Sequence, residues 1–504
     1  MSTSLKMEDA ISARTFTIED AYDNVGFGTF QMLILLYAGM SYMAEAMELM
    51  LLSFVGPAVQ DLWNLSPRQV SIISSVVFAG MMLGAYSWGV LSDMKGRRIG
   101  FFATAVLTFV AGFSSTFSPN YYSLLLLRGL VGVGLGGGPV FSSWFMEFTP
   151  SPNRGMWMVI FTLFWTFGSI FEAALAWVVM PSLGWRWLLG LSSLPLIVLL
   201  AFYPLVPESP RYSISKGETD KALNVLETMA RVNRKQLPVG RLVPYHNGGN
   251  RELEQVSDLQ VAEAVHLLPN LAAVTDKTLR KQTGAQNISS SILILLSPSL
   301  LCSTMLLWFV FFSNAFTYYG LVLLTSQLSG GGSCGVHTTT NLLSTNADTN
   351  LYRDVFVTSF AELPGLVVAA AIVDRVGRKH SMAGLFGLCG LFLLPLLYRQ
   401  PETFTTFLLF GARACIMGSF TILYIYAPEV YPTRSRSTGL GIANSFARIG
   451  GLLCPLVAVD LVQNCHQFLA VTLFTIVPVL ATFATMCFPK ETKGCALSDT
   501  FDDR

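Results

Sequence analysis

Apolar runs of about twenty residues, separated by short polar breaks, fill most of the chain, and about twenty is the number a helix needs to cross the hydrocarbon layer of a bilayer. Twelve such runs are predicted. Six lie near Phe30 to Phe54, Val70 to Leu91, Ile99 to Phe117, Tyr122 to Met146, Met156 to Met180 and Trp187 to Val206. Six more lie near Leu300 to Ser326, Asp354 to Val373, Ser381 to Leu397, Thr403 to Ala427, Thr438 to Asp460 and Phe468 to Phe488. The polar stretch between the sets, Pro207 to about Leu296, is rich in Lys, Arg, Glu and Asn and predicts a short helix over Asp220 to Val232. The expected fold class is therefore an all-α membrane protein. It divides into a tail over 1–29, a six-helix half over 30–206, a central loop over 207–299, a second half over 300–488 and a tail over 489–504.

A repeated motif relates the halves. Gly89-Val90-Leu91-Ser92-Asp93-Met94-Lys95-Gly96-Arg97-Arg98 returns in worn form as Ala371-Ile372-Val373-Asp374-Arg375-Val376-Gly377-Arg378-Lys379, each copy between two apolar runs. An acid, a glycine and a basic cluster can cap one helix, turn tightly and hold cations at a membrane surface. Internal duplication of this kind is a property of secondary transporters.

Composition agrees. Of 504 residues 52% are hydrophobic and 12% charged, about half the charge of a soluble domain. A net charge of +1 gives no electrostatic basis for nucleic-acid binding. Met1 to Asn24 is polar and acidic, so no cleavable signal peptide is expected, and the first transmembrane helix should direct insertion. Lys95, Arg97, Arg98, Arg154, Arg375, Arg378, Lys379, Arg434 and Arg436 fall in loops on one side, which predicts that side, both termini and the central loop to be cytosolic. Cys334 and Cys465 then face the oxidising side and could form a disulfide, the alternative being two unpaired thiols. The eight cysteines show no metal-ligand spacing and His337 and His466 stand alone, so neither a metal nor a cofactor is expected.

Two six-helix halves, a long central loop and the Asp-Gly-Arg repeat resemble the major facilitator superfamily over essentially the whole chain. Further matches are Arg128-Gly129, Glu147-Phe148-Thr149-Pro150 with Arg154-Gly155, Pro207-Glu208-Ser209-Pro210-Arg211, and Pro428-Glu429-Val430-Tyr431-Pro432-Thr433 leading to Arg434. Sugar porters, organic ion transporters and synaptic vesicle glycoprotein 2 share them. The resemblance implies a gating or structural role for Asp93, Gly96, Arg97, Arg98, Glu147, Arg154, Glu208, Arg211, Asp374, Gly377, Arg378, Glu429 and Arg434. Gly26 to Gln31, Met43 to Glu48 and Tyr318-Tyr319-Gly320 are similar to the niacin transporter (NiaP) branch, which includes plant organic cation/carnitine transporters. Animal organic ion transporters carry a large domain between helices 1 and 2; only Gly56 to Gln69 stands there here.

Ionisable groups inside the membrane cost about 2.5 to 3.5 kcal/mol each on insertion scales and mark candidate chemistry. Glu45 and Glu48 stand three apart on helix 1 and share a face. At 1.5 Å per residue Glu45 lies roughly 13 Å below the outer end of its helix and Arg128 roughly 9 Å below the start of helix 4. By resemblance to proton-coupled sugar porters, Glu45 and Arg128 are expected to form the proton-coupling couple; a permanent buried ion pair is the alternative. Arg448, about 15 Å into helix 11, can take a carboxylate bidentately, or can pair internally with Glu362 in helix 8 or another acid. The helix 10 arginine, Arg413, is expected to serve packing or gating with Glu362.

Stacking surfaces for a flat heteroaromatic acid are expected from Tyr42, Trp177, Asn314, Tyr318, Tyr319, Phe420 and Tyr424, although membrane aromatics as often face lipid. Gly132, Gly134, Gly136, Gly137 and Gly138 are expected to let helices approach closely, since no strand precedes them to make a phosphate loop. The resemblance implies a monomeric, proton-coupled carrier at the plasma membrane, moving a small carboxylated pyridine, nicotinate or its N-methyl derivative trigonelline, with membrane lipid and protons as its other partners. A broad organic cation carrier and a non-transporting ligand-binding protein are the alternatives.

Overall fold

A computed structural model of the chain describes residues 15–150, 154–243, 293, 295–298, 300–329, 351–398, 400–431 and 436–493. Cys334, His337 and Arg434 lie outside the described residues, as does the side chain of Arg154. Among the described residues, twelve helices are long and apolar enough to cross a membrane. We label them α1 (Thr29–Trp63), α2 (Pro67–Lys95), α3 (Arg97–Ser115), α4 (Tyr121–Glu147), α5 (Met156–Val179) and α6 (Trp185–Leu205), then α7 (Leu301–Leu328), α8 (Leu351–Val376), α9 (Arg378–Leu397), α10 (Glu402–Val430), α11 (Thr438–Leu461) and α12 (Gln467–Met486). Every run predicted from hydropathy is one of these helices.

The two halves pack by the same scheme. In the first, α1 lies on α5, α2 on α4, and α3 on α4 and α6; in the second, α7 lies on α11, α8 on α10, and α9 on α10 and α12. The packing of α2 on α4 depends on glycine. A Cβ on Gly132 would stand 2.1 Å from the carbonyl oxygen of Val77, and one on Gly84 would stand 2.0 Å from that of Val133. The glycine run of α4 thus supports close helix packing, as expected.

Two of the spanning helices are interrupted. In α4 the regular helix stops at Leu135 and resumes at Gly138, because Pro139 cannot donate to the preceding turn. In α11, Pro455 is followed by a π-helical segment over Leu456–Leu461, a wide turn of the kind that accommodates an interrupted hydrogen-bond ladder.

Both motif copies turn on glycines with positive φ, Gly96 at 107° and Gly377 at 103°, a region that disfavours any Cβ. Arg97 is paired with Asp93 and Glu147, and Arg378 with Asp374 and Glu429. A second acid caps each turn. The backbone N–H of Arg97 donates to Glu208 at 2.9 Å, while that of Arg378 donates to Glu491 at 2.8 Å. Burial pushes the Glu208 carboxyl up, and the backbone N–H groups of Ser209, Arg98 and Arg97 oppose that shift. Glu491 is the second-half counterpart of Glu208 and was not among the expected motif residues.

On the motif face a short helix, Ile18–Val25, is capped by Thr17 and Asp20, and it contacts the helix Thr219–Val232. Thr15–Phe16 pairs in parallel with Arg241–Leu242, the one departure from an all-α fold among the described residues. Arg211 reaches Glu19 at 2.6 Å, and Arg98 lies over the Tyr203 ring, 4.9 Å from its centroid.

Candidate substrate site between the two halves

Among the described residues three arginines lie well away from the ends of the spanning helices, and each has a carboxylate. Arg128 on α4 contacts Glu48 on α1 at 2.9 Å, with both side chains 1% exposed. Its Nε also donates to Ser115 at 3.3 Å. Arg413 on α10 contacts Glu362 on α8 at 2.9 Å, the two being 1% and 0% exposed. The Tyr318 hydroxyl donates to the same Glu362 oxygen at 2.7 Å, and the Trp165 indole N–H donates to Tyr318 at 2.8 Å. These two pairs are sealed.

Arg448 on α11 differs. Its Nη2 stands 3.6 Å from Oε1 of Glu45 on α1, and its side chain is 19% exposed. Tyr42, Tyr319 and Tyr424 lie within electrostatic reach of the guanidinium. The thioether Sδ of Met81 lies 3.6 Å from Nη1. The pair is longer than a charge-assisted hydrogen bond, normally about 2.7–2.9 Å, and reaches across the interface between the halves.

The expected couple of Glu45 with Arg128 is thus displaced by one helical turn. Glu48 lies against Arg128, whereas Glu45 lies beside Gly138, where an added Cβ would stand 2.5 Å from Oε2 of Glu45. Depth along two separate helices could place Glu45 and Arg128 at comparable levels, but it could not decide which of two acids sharing a face meets the guanidinium. The break in α4 supplies the room for Glu45. A cavity of about 20 Å³ adjoins it, lined by Ser41, Thr104, Thr108, Gly134 and Gly138 among others; that is room for about one water. The internal acid nearest Arg448 is thus Glu45 and not Glu362, which Arg413 holds.

Aromatic rings complete the site. Tyr42 stacks on Phe161 with centroids 4.7 Å apart and meets Trp165 at 4.9 Å. Tyr319 meets Phe78 at 4.8 Å, while Phe420 lies between Tyr318 at 6.0 Å and Tyr424 at 5.2 Å. The Tyr424 hydroxyl donates to Asn444 at 2.6 Å. Asn314 is buried one layer behind and donates to Ser419 at 3.3 Å. Trp177 is not brought to this cluster: it is 37% exposed and lies against Phe356 of α8, 5.3 Å between centroids. Phe161 and Trp165 were not anticipated, because α5 is so rich in aromatics that composition alone could not mark which of them face inward.

From the midplane to the face opposite the motif loops, the halves are joined. Gln463 donates to Gln327 at 2.9 Å and lies 2.9 Å from Gln60 in reciprocal amide contact. Ser75 donates to the carbonyl of Leu452 at 2.9 Å, and Phe54 meets Tyr352 at 6.0 Å. Cys465, near Gln463, is disulfide-bonded.

Residues 22–500 match the profile of the sugar (and other) transporter family. The chain belongs to that family. It is a membrane transporter family, not an enzyme family, and the major facilitator fold expected from the sequence is the fold observed. The chain is 55% identical to organic cation/carnitine transporter 7 of Arabidopsis thaliana, with 96% of each chain covered. It is 37% identical to the synaptic vesicle 2-related protein of Xenopus laevis, over 96% of this chain and 83% of that one. Among solved structures it is similar to a partially occluded inward-open conformation of the xylose transporter XylE from E. coli, with a TM-score of 0.69 and 16% identity, over 93% of this chain and 100% of that one.

Proposed function

We propose that the protein is a secondary active transporter of the niacin transporter branch, moving nicotinate or N-methylnicotinate (trigonelline) by alternating access with proton coupling. The observation that carries this reading is Arg448, the one arginine of the three whose acid stands at 3.6 Å and whose side chain is 19% exposed. A guanidinium held this loosely can exchange its internal acid for a substrate carboxylate. Tyr42, Tyr319, Phe420 and Tyr424 offer faces for a pyridine ring. Trigonelline is a zwitterion, and Glu45 beside Arg448 offers its cation a counter-charge. Displacement of Glu45 from Arg448 by the substrate leaves a carboxylate that favours uptake of a proton, which links substrate and proton binding.

The basic motif loops support a cytosolic motif face, with both termini and the central loop on that side; a monomer in the plasma membrane is part of the same proposal. Closure of the opposite face by Gln60, Gln327 and Gln463 supports an inward-facing state. The organic cation relative favours a second reading, a broad cation carrier centred on Glu45. Vesicles containing the purified protein, given labelled nicotinate, trigonelline and a carboxylate-free cation with and without an imposed pH gradient, separate the two. Gradient-driven accumulation of both acids is expected. Accumulation of the carboxylate-free cation alone overturns the anion assignment, and binding without accumulation indicates a non-transporting protein.

A further inference from the structure

Glu172, on α5, is fully buried, and none of the roles above uses it. Its two carboxyl oxygens each lie 2.8 Å from the hydroxyl oxygen of Ser192 on α6. That hydroxyl is also 2.7 Å from the carbonyl oxygen of Leu188, one turn earlier in the same helix. Serine has a single proton to donate. The back-bond to the i−4 carbonyl is a common place for it in a helix, and a proton on the Glu172 carboxyl lets the hydroxyl keep that bond while accepting one from Glu172.

Charge counting gives the same answer. The charged groups within electrostatic reach of Glu172 are Glu48 on α1 and Arg128 on α4, and α3 contributes only the neutral Ser115 and the carbonyl of Gly112 around that arginine. With Glu48 and Arg128 already paired at 2.9 Å, an ionised Glu172 at 0% exposure would add an uncompensated buried negative charge, which is strongly unfavourable. One proton shared by the two acids makes the cluster neutral.

We propose that Glu172 is a second proton-carrying carboxyl of this transporter, and that it alternates with Glu48 as the partner of Arg128. In the observed arrangement Glu48 holds the arginine and Glu172 holds the proton. In the alternate one the O–H bond of Glu172 breaks, an O–H bond forms on Glu48, and Arg128 turns to the carboxylate left on Glu172. The cluster's net charge is unchanged, so the exchange can occur without charging the membrane interior. The coupling role rests on the proton-coupled reading above; the resting protonation state does not.

Infrared difference spectra of the purified protein in lipid test the resting state. Wild type minus Glu172→Gln is expected to contain the carbonyl band of a protonated carboxyl, and Ser192→Ala should move that band to higher frequency by removing its hydrogen-bond partner. Carboxylate bands in place of the carbonyl band would overturn the assignment. Glutamine is isosteric and can donate to Ser192, and the Ser192→Ala shift is read on a chain that keeps Glu172, so one variant that fails to fold does not leave the question open. Uptake tests the coupling role: Glu172→Gln should bind substrate but lose gradient-driven accumulation. A coupled wild type with an unaltered Glu172→Gln variant removes only the role of Glu172, whereas a wild type indifferent to the gradient removes that role together with the proton-coupled reading.

Discussion

Distance and exposure sort the three membrane arginines into different tasks. Arg128 and Arg413 are held at 2.9 Å in closed surroundings, and removing one partner of such a pair typically costs about 3–5 kcal/mol because the other charge is stranded. Arg413→Ala is therefore expected to lower the melting temperature of the detergent-solubilised protein sharply. Arg448→Ala should leave folding largely intact, since the side chain is 19% exposed and its acid stands 3.6 Å away. Its cost falls on binding. Nicotinate and trigonelline should lose about 2–5 kcal/mol of affinity, the range for one partner removed from a buried charge pair, while nicotinamide, which has the ring without the charge, should bind weakly to both proteins. Arg448→Lys should restore only part, as an ammonium lacks the planar fork. Unchanged affinity for both acids in folded Arg448→Ala would make Arg448 structural. Glu45 has its own test: Glu45→Gln cannot lose a proton and should flatten the pH dependence of uptake, and an unaltered pH profile would remove Glu45 from coupling.

Helices were legible in the sequence because twenty apolar residues in a row have few alternatives to a span, and because Gly96 and Gly377 mark their turns in both halves. Side-chain partners were not. Glu45 and Glu48 share one face of α1, and which of them meets Arg128 depends on the break in α4 and on the missing Cβ of Gly138. Glu491 was hidden because its surroundings, Pro489-Lys490-Glu491-Thr492, keep only the proline and the acid of Pro207-Glu208-Ser209-Pro210 and shift their spacing by one. Glu172 sits in an apolar run whose length, not its one acid, drew the reading. The α2–α4 contact gives a test at this scale. A Cβ on Gly132 would meet the carbonyl of Val77 at 2.1 Å, while one on Gly89 would meet nothing within 4 Å. Gly132→Ala should destabilise by about 1–3 kcal/mol, as overpacking usually does, and Gly89→Ala should melt like wild type. Equal melting temperatures would show that α2 and α4 can separate freely.

Seen as a whole, each half is tied from its first motif turn to the segment following its last helix, through Glu208 in one and Glu491 in the other. Such ties favour movement of the halves as bodies, with the change concentrated at the seam that contains Arg448, Glu45 and the tyrosines. The contacts among Gln60, Gln327 and Gln463 should open when that seam faces the other way. Cross-linking a Gln60→Cys, Gln463→Cys double variant is expected to stop uptake, with reductant restoring it and each single variant serving as control for Cys465. Full uptake by the cross-linked protein would mean that the two halves need not part there.

The chemistry of that glutamine seal has a consequence for control. Amide-to-amide hydrogen bonds exchange readily for bonds to water, at a net difference of only about 0.5–1.5 kcal/mol each, and they carry no charge for salt to screen or acid to titrate. A latch of this kind holds weakly and equally across a wide range of ionic conditions. In the proposed proton-coupled cycle, sensitivity to the gradient would thereby be left to the carboxylates deep in the membrane, and the composition of the compartment on the glutamine side would reach the switch only through what it delivers to the centre.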